Sequence, residues 1–260
     1  MEITIRKLSY KHYFRNLTVT LNDNHIIGIM GKNYQELLYL IGSDNVSTKN
    51  ILFNNLNIER KKSNYVGYID TRLEFYTAYV YDEILLYLNR YITRGGVRIK
   101  SIRKRINKVL SMLDIDEVIL DKKIKDLSMG EKRLLKYVLV LIYNPNVIVI
   151  DEPYLYLDFH YKKVVKKIIY DLKTKYEKTV IIGSLDSNII YSLCELSLLI
   201  NYNDHLYGVT KSIFNKDELS RFGINIPDLV NFTDLVRKKN INIGYFQDIR
   251  DLIKDVYRNV

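Results

Sequence analysis

The chain has one cysteine, three prolines, no tryptophan and no long uninterrupted apolar run in its 260 residues. A lone thiol, Cys194, excludes an intramolecular disulfide framework and suits a reducing compartment. No uncharged apolar stretch approaches the roughly 18 residues that a membrane helix needs. The opening MEITIRKLSY lacks the charged-then-apolar layout of a secretory leader. These absences point to a cytosolic chain, long enough to bury a core as one large domain or a domain with an appendage. Tyrosine is abundant (23) and the net charge is +10, in a composition rich in Lys, Asn and Ile of the kind AT-rich coding gives. The charges are spread, with KKVVKK (162–167) and RKR (103–105) as local clusters, a weak footprint for nucleic acid.

Apolar and polar residues alternate in MEITIRKLSY and NLTVTL, as in half-buried strands, whereas HIIGIM (25–30) is continuously apolar, as in a strand covered on both faces. Residues 50–70 read as short strands, ILFNNLNI and NYVGYID. From Val80 to Asp126 the pattern is helical, with a stripe at Ile102, Ile106, Val109, Leu110 and Leu113, and the Gly95-Gly96 pair separates two helices. VIVID, KTVIIGSLD and LSLLINYND then alternate with helices such as YKKVVKKIIYDLK. Strand-helix alternation of this kind implies an α/β fold with a mainly parallel sheet covered on both faces.

The stretch Leu127–Asp158 concentrates the chemistry. LSMGE (127–131) opens a helix: Ser128 suits an N-cap and Glu131 its capping-box partner. NPNVIVIDEP follows, a buried strand ending in Asp151 and Glu152, where open α/β sheets bind ligands. Leu157-Asp158 comes next. This order resembles the ATP-binding cassette (ABC) ATPases: signature motif, Walker B strand and D-loop. The resemblance implies a P-loop NTPase-like domain over residues 1–210, with an N-terminal antiparallel part and a helical subdomain at about 80–140. It implies ATP and Mg2+ as ligands, with Asp151 ordering the metal and Glu152 polarising water. It implies that Ser128, Gly130 and Glu131 serve the γ-phosphate of a partner's nucleotide, with Asp158 in the D-loop. Met129 replaces a usual glycine, adding a side chain where close approach is needed.

The phosphate-binding loop looks broken. A working loop reads G-x-x-x-x-G-K-[ST] between strand and helix. Here Gly31, Lys32 and Asn33 begin it, but only Tyr34, Gln35 and Glu36 precede the helical LLYLIG. Against a family-like GKNGSGKSTLL, about three residues are missing, together with the lysine and the hydroxyl. Lys32 falls on a variable position. Glu36 brings negative charge toward the phosphate; at an effective dielectric near 20 a like-charge contact at about 4 Å costs on the order of 4 kcal/mol. The Q-loop glutamine falls on Thr71 and the switch histidine on Leu185, neither of which reproduces the family's side chain. Tyr10 or Tyr13 could stack on adenine, or simply serve as core or surface residues.

The tail SIFNKDELSRFGINIPDLVNFTDLVRKKNINI resembles that of energy-coupling factor (ECF) transporter ATPases at Phe214, Ile224, Pro227, Leu235 and Ile241. That resemblance implies an α-rich dimerisation extension over 211–260 and a peripheral place on the cytoplasmic face of the membrane. The implied partners are a paralogous ABC ATPase subunit, a transmembrane scaffold subunit and a substrate-binding membrane subunit, with no nucleic acid. Scaffold arginines would meet Asp70, Glu74, Asp82 and Glu83. The expected role is the degenerate half of a heterodimer. Two alternatives stay open: an active, divergent ATPase using its own site, and a non-transport protein of the same fold acting on nucleic acid or the ribosome.

Overall fold

A computed structural model describes residues 1–43, 49–58, 62, 65–92, 99–239 and 243–259. Gly95-Gly96 and Ile241 lie outside the described residues. Strands β1 (Ile3–Tyr10), β2 (Phe14–Leu21) and β4 (Ile51–Phe53) form an antiparallel sheet in the order β2-β1-β4. The second sheet takes β3 (Ile26–Gly31), β5 (Val66–Ile69), β6 (Val147–Asp151), β7 (Thr179–Gly183), β8 (Leu196–Ile200) and β9 (His205–Val209) in the order β5-β6-β7-β3-β8-β9. All its pairs are parallel except β8–β9.

The continuous apolar runs have a direct physical reason. Successive residues of a strand face opposite sides of the sheet. Ile26, Met30, Ile148, Ile150, Val180 and Ile182 enter one core, while Ile27, Ile29, Val147, Val149 and Ile181 enter the other. With both faces covered, most positions are apolar, Asp151, Thr179 and Ser197 being buried exceptions, and each buried Ile or Val contributes about 1.5–3 kcal/mol. In β1 the alternation breaks after Ile5, where a register shift with Lys7 at φ 45° restores Leu8 to the core. The predicted strand ILFNNLNI is shorter than expected, because Asn54 and Asn55 both take positive φ and turn the chain back to a bridge between Phe53 and Leu56.

Helix α1 (Tyr34–Gly42) follows β3, and the buried Lys62 ammonium donates to the carbonyls of Leu40 and Ser43 at its C-terminal end, where a cation suits the helix dipole. Helices α2 (Val80–Ile92) and α3 (Ile99–Met112) pack with α4 (Met129–Leu141), burying Ile84, Leu88 and the 106-109-110-113 stripe read from the sequence. Helices α5 (Phe159–Thr174) and α6 (Ser187–Leu193) connect the later strands. The tail holds α7 (Thr210–Ile213), α8 (Lys216–Arg221), α9 (Asp228–Arg237) and α10 (Ile249–Asn259). Phe214, Leu219, Phe222 and Val230 join the larger core, and Gln247 donates to the carbonyls of Tyr191 and Cys194, so the tail is fastened to the body. Among the described residues, no helix is long and apolar enough to cross a membrane.

Candidate nucleotide site

Strand β3 and helix α1 are joined by two residues, Lys32 and Asn33. Gly31 has φ +109°, and a Cβ there would lie 2.0 Å from the carbonyl oxygen of Ile200, so only glycine fits. Lys32 is exposed; Asn33 is left-handed (φ 66°) and its side chain makes no capping bond. Glu36 sits in the first turn of α1, where an acid favours the helix dipole. No backbone remains to wrap a phosphate.

The space is taken by Tyr34, which is 2% exposed. Its hydroxyl donates toward both Asp151 Oδ1 (3.1 Å) and Glu152 Oε1 (2.9 Å). Burial first, then the two carboxylates, hold the phenol proton on well above the usual tyrosine range. The ring lies where a Cβ on Gly183 would come within 2.6 Å of it, so the glycine ending β7 makes room for this tyrosine. Neither Tyr34 nor its glycine partner was singled out from the sequence. The signal available was an aromatic at the first helical position after a shortened turn.

Asp151 ends β6 and is 3% exposed; burial pushes its carboxyl up to about 6, while the Tyr34 hydrogen bond pulls the other way. Glu152 has φ 49°. Its Oε1 also accepts from the Leu185 amide (2.8 Å) and its Oε2 from Ser184 Oγ (2.8 Å). Both oxygens are thus engaged within the chain. The Leu185 side chain at the switch position points away, 74% exposed.

Arg133, from the signature helix α4, is fully buried beneath this pair. One guanidinium nitrogen donates to the carbonyls of Asp151 (2.6 Å) and Glu152 (2.8 Å), and the other to that of Asp70 (2.5 Å). Tyr137 packs against the guanidinium and donates to the Pro153 carbonyl (2.7 Å). This clamp joins the ends of β5 and β6 to α4. Nothing in the sequence motifs singles out Arg133; its role depends on carbonyls 18 to 63 positions away.

The signature end of α4 is well formed. Ser128 Oγ accepts from the Glu131 amide (3.1 Å), and Glu131 returns a carboxylate oxygen to the Ser128 amide (2.8 Å) while pairing with Lys122. A Cβ on Gly130 would sit 3.1 Å from the Tyr156 carbonyl oxygen, so the D-loop closes tightly on the signature turn. Asp158 caps α5 through the Tyr161 amide (2.9 Å). Met129, Tyr156 and Phe159 are all exposed beside them. Ser128→Ala is expected to lower stability by about 1 kcal/mol and Ser128→Gly by only a few tenths, read from urea unfolding midpoints.

Tyr10 and Tyr13 flank the β1–β2 turn with rings 6.2 Å apart and Lys11 over them. Thr71 is half-buried beyond β5. Of the acidic set expected to face a scaffold, two are engaged within the chain. Asp70 is held by Arg72 (2.8 Å) and Lys136 (3.4 Å). Glu83 is buried, and its Oε2 accepts from the Tyr76 and Thr77 amides and the Thr77 hydroxyl, tying down its own loop. Only Glu74 and Asp82 are exposed. The adjoining groove is basic, with Lys123, Lys125 and Lys132 against one acid, Glu74, among the described residues.

A protein-family model described as ABC transporter matches residues 14–155, more than half of the chain, and the chain belongs to that family. Within it, the chain is similar to the energy-coupling factor transporter ATP-binding protein EcfA2 of Caldanaerobacter subterraneus, 23% identical with 88% of this chain and 84% of the relative covered. It is also similar to EcfA1 of Fusobacterium nucleatum, 26% identical with 99% of each chain covered. Among solved structures, cbiO1 from Clostridium perfringens, part of the ABC transporter complex cbiONQ, shares the fold at TM-score 0.70 and 21% identity, over 90% of this chain and 98% of that one. The ABC fold and the ECF resemblance read from the motifs therefore stand.

The family binds ATP, generally with Mg2+. The residues on this chain's own P-loop side do not fit that group: the turn is two residues long, no Lys-Ser or Lys-Thr pair follows it, and the Tyr34 hydroxyl lies against both acids that would face the metal.

Proposed function

We propose that this chain is the non-hydrolysing member of an ATPase pair in an ECF-type importer. Its partner is a paralogous cassette with an intact P-loop, and this chain contributes Ser128, Gly130, Glu131 and the D-loop Asp158 to the partner's MgATP. The pair sits on the cytoplasmic face of the membrane, bound to a transmembrane scaffold subunit that carries a substrate-binding membrane subunit. Residues 211–260 form the extension that steadies the pair. Nucleic acid has no role.

The observation that carries this reading is the contrast between two ends of one molecule. The Tyr34 hydroxyl engages Asp151 and Glu152, while Ser128 and Glu131 keep a complete capping box at an exposed helix N-terminus. Helix N-termini favour anions through free amides and the helix dipole. Retention of the Asp151-Glu152 pair, which would favour an active divergent ATPase, has another use here. Tyr34, Ser184 and the Leu185 amide bind its side chains, and Arg133 binds its carbonyls.

The test is co-expression with an ECF-type cassette ATPase that carries an intact P-loop, followed by hydrolysis assays of the purified complex. Ser128→Gly in this chain is expected to keep assembly but lower hydrolysis about 10-fold or more, since a donor aimed at developing charge is lost. Undiminished hydrolysis would remove the donor role. Failure of the two chains to associate would remove the pairing.

A further inference from the structure

We infer that a cavity between α3 and the start of β6 is a binding site for a small aromatic monocarboxylate. The cavity, about 170 Å³, lies at the opposite end of β6 from Asp151, so it is separate from the nucleotide face. Its floor is apolar and buried: Val109, Leu141, Ile142, Ile148 and Leu172. Arg105 and Lys108, one helical turn apart on α3, also line it, and among the described residues no carboxylate does. Lys108 lies over the Tyr176 ring (5.5 Å), and the Tyr176 hydroxyl approaches Met112 Sδ (3.9 Å), forming one wall. Arg105 is half-buried and has no acidic partner among the described residues.

A guanidinium drawn partly out of water without a counter-charge favours an anion, and its planar fork matches a carboxylate. The size of the apolar part follows from the volume. A dry cavity of about 150 Å³ lined by aliphatic side chains holds benzene, so this one accommodates a single ring, with the carboxylate directed to Arg105 and Lys108. The pocket is open on one side, so a long acyl chain would project from it into water. The ligand would bridge α3 to the α4–β6 turn and the end of α5, joining the helical layer to the sheet layer.

The test uses the full chain labelled at methionine methyls, titrated with phenylacetate, phenylacetamide and octanoate. Phenylacetate is expected to give a saturable shift of the Met112 methyl with a Kd of about 1 mM or tighter. The neutral amide and octanoate are each expected to bind about 10-fold more weakly, as is phenylacetate to Arg105→Leu. Val109→Phe, which fills the floor, should abolish the shift while the Met30 and Met129 methyl resonances of the same variant stay at the parent's positions, showing that its fold is intact. No saturable shift up to about 10 mM, or equal affinity for the acid and the amide, would overturn the site. Tighter binding of octanoate would overturn the aromatic assignment in favour of a lipid-derived carboxylate. None of these outcomes bears on the donor role of Ser128.

Discussion

Arg133→Met is expected to destabilise the chain by about 3 kcal/mol, more than any surface substitution discussed above. The side chain holds three backbone carbonyls, those of Asp70, Asp151 and Glu152, from a fully buried position. Each buried acceptor left without a donor costs about 1–3 kcal/mol. The methionine also escapes the desolvation cost of a buried cation, and Arg133 Nε already lacks a partner, so the net loss is smaller than the sum of the three bonds. Arg133→Lys is expected to recover little, because one ammonium cannot span carbonyls on two strand ends as a planar fork does. Urea unfolding of the three proteins decides it. A methionine variant within about 0.5 kcal/mol of the parent would mean that the carbonyls find other donors and that the clamp is not structural.

Asp151→Asn is expected to stabilise the chain at neutral pH, the reverse of what a metal-binding carboxylate vital to the fold would give. The Asp151 carboxyl titrates at about 6 when folded, because it is buried, against about 3.9 in an unfolded chain. A folded value above the unfolded one means that the native state takes up the proton more readily. The stability this supplies is fully present below about pH 4 and is lost as pH rises through about 6. Above pH 6 the ionised carboxylate is a net burden, on the order of 2–3 kcal/mol for a shift of this size. The amide removes the charge and leaves its oxygen to accept from Tyr34. The variant should therefore exceed the parent in stability at pH 8 and match it near pH 4. Stability curves across that range would contradict the account if the variant were weaker at pH 8.

Both effects centre on groups whose meaning the sequence disguises. The cassette itself was legible because its physics is local: a strand buried on both faces must read VIVID, and a capped helix must open with a pattern such as SMGE. The stripe from Ile106 to Leu113 fixed its own helix in the same way. The short turn after β3 was legible too, as missing residues. What replaced the loop was not, because Tyr34 meets Asp151 across 117 positions of sequence and Gly183 from still further along. Arg133 and Glu83 failed for a related reason. Charged side chains are assigned to the surface by default, yet one clamps strand ends and the other ties down its own loop. The basic character of the groove beside Glu74 arises from Lys123, Lys125 and Lys132, which converge only once the turns around Ile124 are folded.

The most direct test of the central claim is a calorimetric titration of MgATP into the purified chain alone, with Asp151→Ala as the control. The account predicts no saturable heat for either protein, because Tyr34 and a two-residue turn stand where a phosphate-binding loop would be. Submillimolar binding that the control abolishes would contradict it, and would make this chain an active ATPase with a divergent loop.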